Sequence, residues 1–129
     1  MTKTFCAAFA LASLVATGAT AQAMFPMVED GLTFTDKKGI MLTVVNPYQS
    51  AETFKLEAFE TDYNTPTTGV AIQPSELTLG SSLSRRVRVI FDVPGKERTI
   101  AVCVQPVQEE AQVVPRVCGR YTARRAGIR

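Results

Sequence analysis

Apolar and polar positions alternate along most of the chain in short runs broken by turn residues. The clearest run covers residues 83–91, where Val87, Val89 and Phe91 fall on one side and Arg86 and Arg88 on the other. A strand with one face on a core and one in water has this period. Residues 98–104 repeat it with Ile100, Val102 and Val104 inward, which turns Cys103 outward. Residues 53–61 set Phe54, Leu56 and Ala58 against Lys55 and Glu57, and the β-rich run 40–45 stops at the turn signal Asn46-Pro47. Residues 28–34 lead into a polar turn, and 62–69 read as a loop. The short pieces 70–73 and 76–79 flank Pro74 and read as edge strands, because proline cannot donate to an interior ladder. The last strand covers 113–122, with Val113, Val117 and Tyr121 inward and Cys118 and Arg120 outward. Phe25, Phe34, Phe54, Phe59 and Phe91 read as core. Without a segment of helical period, the pattern predicts an all-β fold, an immunoglobulin-like seven-stranded β-sandwich.

The N-terminal residues follow another rule. Lys3 is the single charge in the first 28 residues, an apolar run covers 5–15, and Ala21-Gln22-Ala23 has the A-x-A form of a cleavage site. These are the marks of a secretory signal peptide, removed after Ala23. The apolar run is short of the roughly 20 residues of a membrane-spanning helix, although a retained N-terminal anchor is the competing reading. Three segments result: a signal peptide at 1–23, a domain at 24–122 and a basic tail at 123–129. Of the 129 residues, cleavage leaves 106, and the formal net charge drops from +2 to +1 with the loss of Lys3. So small a charge gives no reason to expect nucleic acid or an anionic membrane as partner. It is unevenly spread, with seven acids against three lysines in 24–62 and five arginines without an acid in 115–129.

Export also decides how the cysteines are read. Cys6 leaves with the leader, and Cys103 and Cys118 remain as an even pair in an oxidising compartment. One disulfide is expected, with two free thiols as the alternative.

The sequence has no histidine, so Ser-His-Asp triads, Cys-His pairs and imidazole metal sites are excluded. Glu57, Glu60 and Asp62 lie close together, but without the Gly-centred loop or repeated Asp/Asn spacing of a calcium site. Arg85, Arg86 and Arg88 with Lys96 and Arg98 are interleaved with Asp92 and Glu97 and read as a solvated strand face. The expectation is a non-catalytic protein without metal or cofactor that binds another protein.

Four stretches in order sharpen this: Leu42-Thr43-Val44-Val45-Asn46-Pro47, Ile72-Gln73-Pro74-Ser75-Glu76-Leu77-Thr78-Leu79-Gly80, Ser84-Arg85-Arg86-Val87-Arg88-Val89, and Lys96-Glu97-Arg98-Thr99-Ile100-Ala101-Val102. Together they resemble the N-terminal immunoglobulin-like domain of PapD-like periplasmic pilus and fimbrial assembly chaperones, over most of residues 25–122. The resemblance implies that the last strand holds a pilus subunit or envelope protein by strand addition, in which backbone bonds give affinity and alternate side chains give specificity. Val113, Val117 and Tyr121 are then the apolar donors, with Arg120 or Arg124 as the basic group beside them. Paired cysteines on the last two strands resemble one branch of that family. The alternative is a structural single-domain component of an envelope or surface-appendage complex, docked through its basic tail. Its ground is that the resemblance spans one of the family's two domains and that residues 24–36 hold no Lys or Arg.

Overall fold

The computed structural model describes residues 22–107 and 115–127, and these contain no helix. Nine strands form in chain order: β1 (Ala23–Phe25), β2 (Val28–Thr33), β3 (Lys37–Val45), β4 (Glu52–Phe59), β5 (Val70–Gln73), β6 (Glu76–Leu79), β7 (Ser84–Asp92), β8 (Glu97–Pro106) and β9 (Val117–Arg125). One sheet has the order β1-β3-β7-β5 and the other β2-β9-β8-β4-β6. All pairings are antiparallel except β2 with β9. The immunoglobulin-like sandwich is as expected, with nine strands rather than seven; β1 is the strand that alternation did not show, and the chain changes sheet twice at proline. Pro26 separates β1 in the first sheet from β2 in the second, and Pro74 separates β5 from β6 in the same sense. Both β5 and β6 are edges, as a proline between them requires.

The core is built by alternation. Met24, Leu42, Val44, Val87, Val89 and Phe91 of the first sheet meet Phe54, Leu56, Ile100, Val102, Val104 and Tyr121 of the second, all buried. Each such side chain contributes roughly 1.5–3 kcal/mol by leaving water. The Asn46-Pro47 turn is fixed from inside: the fully buried Asn46 amide donates to the Ser50 and Leu79 carbonyls at 3.0 and 2.9 Å, and its Oδ1 accepts from the Tyr48 amide. At the other end of the sandwich the Arg98 guanidinium donates to the Asp92 carbonyl and the Thr67 hydroxyl. Gly69 passes beside it with φ of 70°, and a Cβ there would crowd Asp92 and Arg98.

Several expectations need correction. Phe25 and Phe34 are not core residues but exposed, at 54% and 85%. Phe25 follows the buried Met24 on β1 and so points out of the sandwich, and Phe34 lies past the end of β2. Cys103 does point to the outer face, yet it is buried, because a second apolar cluster forms there. Phe59, Ala101 and Cys103 are its centre, with Tyr63 and Cys118 packed on them. The basic tail does not begin at 123. Ala123 is fully buried, and β9 continues through Arg125 between β2 and β8. The leader boundary expected after Ala23 falls inside the folded body, since Ala23 pairs with Val45 and Gln22 is buried.

Candidate functional site

β9 carries most of the residues singled out from the sequence, and its two halves are built differently. Residues 120–125 are flanked on both sides, by β8 and by β2, whose cover begins where the Arg120 amide donates to the Met27 carbonyl at 2.8 Å. Residues 117–119 pair with β8 alone, and among the described residues no strand lies on their outer edge.

That open stretch is secured through side chains. Cys118 stands opposite Cys103 in the β8–β9 register and the two form the disulfide, with a Cα separation of 4.1 Å. Just before β9, the Arg116 guanidinium lies 5.2 Å from the centre of the Phe59 ring and donates to the Tyr63 carbonyl at 2.7 Å. A cation over an aromatic face adds attraction to the contact. One residue earlier, the Pro115 carbonyl accepts from Gln22 Nε2 at 2.9 Å, and the same amide donates to Val104 at 2.9 Å. Positions 115, 116 and 118 are thus each tied to a different part of the molecule: the chain's N-terminal side, the 60–67 loop, and β8.

The loop that takes Arg116 is itself braced. Asp62 accepts from the Asn64 and Thr65 amides at 2.9 Å and from the Thr65 hydroxyl at 2.6 Å. The Thr65 hydroxyl bond is the largest influence on the carboxyl, followed by the amide bonds, and together they bring its pKa down to about 2. Glu60 accepts from the Thr67 hydroxyl, and Glu57 pairs with Lys55 at 2.5 Å. The three carboxylates proposed as a cluster are therefore engaged separately and do not converge.

Of the expected donor side chains, Val113 lies outside the described residues. Val117 is half-buried against the core. Tyr121 is fully buried, and its hydroxyl donates to the Pro26 carbonyl at 2.6 Å. Burial, and then the nearby Glu29 charge, push this phenol well above its ordinary range. A side chain so placed is used by the chain's own core and cannot also fill a pocket on a partner. Gly119 makes the arrangement possible, because a Cβ there would overlap the Tyr121 hydroxyl and approach the Met27 carbonyl to 2.8 Å. Arg120 is exposed. Arg124 is held by Asp30 at 3.1 Å and Glu97 at 3.0 Å, which takes it from the set of free cations assigned to the tail.

Sequence reasoning missed Gln22, Tyr63 and Arg116. The first was hidden inside the leader motif, and the other two act through contacts 53 and more residues apart, for which periodicity has no signal. What the site presents chemically is backbone: a short, anchored strand edge that no second strand pairs among the described residues. On the opposite sheet Ile90 stands between open hollows of about 390 and 300 Å³. Among the described residues every buried side-chain polar atom has a partner.

No family model matches the sequence, and no curated protein matches it either. Solved structures do. The Escherichia coli chaperone DraB superposes with a TM-score of 0.66 at 18% identity, over 84% of this chain and 57% of that one. A structure of the Salmonella enterica SafA pilin with the SafB chaperone gives 0.68 at 17%, over 88% and 59%. The chain therefore spans less than three-fifths of these two. PapD-like domain 7 of human CEP192 gives 0.63 at 12%, over 95% of this chain and all of that domain. The chain has the PapD-like immunoglobulin fold.

Proposed function

We propose that this protein is a non-catalytic binding module of the periplasm, which holds a pilus subunit or another envelope protein by strand addition at the start of β9. The observation that carries the reading is the open outer edge of residues 117–119 on a strand fixed by three side-chain anchors. An edge of this kind gives a partner strand backbone donors and acceptors that would otherwise be left to water. Anchoring it beforehand lowers the ordering cost that binding must meet. The leader motif and the cross-strand disulfide support an oxidising, exported setting. The pilus chaperones among the structural neighbours support a partner of the same kind.

Side-chain specificity in this reading rests on Val117 and on the residues before it, since Tyr121 is spent in the core. The alternative, a permanent structural component docked through its basic end, loses Arg124 to an internal pairing with Asp30 and Glu97. The test is to mix the exported protein with pilus subunits from the same envelope and follow complex formation by size-exclusion chromatography. A stoichiometric complex is expected, weakened at least tenfold by Val117→Asp beyond the loss of melting temperature that a charge against the core brings, and by Val117→Ala, which keeps the fold, to a smaller degree. No complex, or one indifferent to Val117→Asp, overturns the reading.

A further inference from the structure

We infer that the leader is cut between Ala21 and Gln22, and that the freed Gln22 side chain then clamps β8 to the residue just before β9, beside the partner-binding edge at 117–119. The inference rests on the export reading above and goes beyond it.

The sequence offers two overlapping cleavage motifs. Ala19-Thr20-Ala21 and Ala21-Gln22-Ala23 both carry small residues at the positions that leader removal requires, so motif alone cannot choose between them. The folded chain has a use for Gln22 that only the earlier cut preserves. Gln22 is buried at 2% exposure, and its whole amide is used. Nε2 donates to the Val104 carbonyl near the end of β8 and to the Pro115 carbonyl just before β9, both at 2.9 Å, and Oε1 accepts from the Tyr48 hydroxyl at 3.4 Å. Val104 and Pro115 are the fixed points on either side of the segment that joins β8 to β9. One side chain therefore spans the base of that segment, 82 and 93 residues from its own position in sequence. Ala23 adds a ladder position opposite Val45.

A cut after Ala23 would discard both. It would leave the Val104 and Pro115 carbonyls without this donor and shorten β1 to two residues, next to the strand on which partner binding depends. A cut after Ala21 keeps the clamp entire. Because the peptidase acts on the extended chain during export, the burial of Gln22 in the folded state does not hinder it.

The experiment is to export the full-length chain, purify the processed form, and read its N-terminus by sequencing and intact mass. Gln22 as first residue is expected. Met24 as first residue overturns the inference while leaving the export reading intact, whereas an uncut chain beginning at Met1 overturns both. Two variants separate the motifs. Ala19→Phe blocks only the earlier cut and should abolish Gln22 as first residue, and Ala23→Phe blocks only the later one and should leave Gln22 first. The opposite sensitivity overturns the assignment. For the clamp itself, Gln22→Ala in the exported chain should lower the melting temperature by about 5–10 °C, on the scale of two lost hydrogen bonds in a domain of this size. Gln22→Glu, which presents oxygens to two carbonyls, should not restore it. An unchanged melting temperature in Gln22→Ala overturns the clamp.

Discussion

The two halves of β9 solve the same problem by opposite means. Residues 120–125 are held by backbone ladders on both edges, so their backbone has nothing left to offer a partner strand. Residues 117–119 have one ladder only, and what a second strand would supply comes instead from the disulfide, the Arg116 contacts and Gln22. Side-chain anchoring lets a strand be firm and open together. The parallel partner β2 is thus the boundary between a structural half and a binding half, and the boundary sits at Arg120.

The largest effect is expected in the closed half. Tyr121 is the largest fully buried side chain, and Tyr121→Ala should cost about 3–5 kcal/mol in a denaturant melt, a large share of the stability of a single domain. Gly119→Ala attacks the same place from the other side, since the new methyl meets the Tyr121 hydroxyl, and overpacking of this kind costs roughly 1–3 kcal/mol. Combining Gly119→Ala with Tyr121→Phe should then cost less than the sum of the two singles, because each removes part of what the other disturbs. Strict additivity would mean that the two residues do not share the contact described.

Next comes the disulfide, which separates the halves. Closing a span of 15 residues is worth about 3 kcal/mol in the chain-entropy account. Reduction should lower the melting temperature and quicken amide exchange in residues 117–119 first, while 120–125 keep their protection between two strands. If both halves lost protection together, the distinction between side-chain and ladder anchoring would be wrong.

What the sequence could and could not reveal follows the same division. Strands such as β7 were legible because Val87, Val89 and Phe91 report their face by position alone. The outward direction of Cys103 was legible too, but its burial was not, because alternation names a face and is silent about what folds over it. Here a loop brings Tyr63 onto the cluster of Phe59, Ala101 and Cys103. The end of β9, residues 123–125, was read as tail for a related reason. Its cover is β2, about 90 residues earlier, in a parallel pairing, and Arg124 looks free until Asp30 and Glu97 are brought beside it. The open half was found in the right strand with Val117, while the other described donor, Tyr121, belongs to the closed half and to the core.

The smallest effect is the most selective. Asp62 lies far from β9 in sequence, yet it braces the loop whose Tyr63 carbonyl receives Arg116. Its carboxyl titrates at about 2 in the folded chain against an ordinary 3.8, held down by the Thr65 hydroxyl first and then by the backbone amides. A group depressed in this way stabilises the fold fully above its ordinary value, and that contribution is lost as pH falls from there through the folded value. Between about pH 4 and 2 the loop should loosen, releasing Arg116 and the roof over the disulfide, while residues 120–125, which make no contact with this loop among the described bonds, hold. Proteolysis at acid pH, read by mass, should find cuts near Tyr63 before any in 120–125. Asp62→Asn, which keeps the shape but not the charge, should remove the pH dependence of those early cuts. Acid cuts that persist unchanged in Asp62→Asn, or that strike both halves of β9 at once, would place the brace elsewhere and leave the open half without its third support.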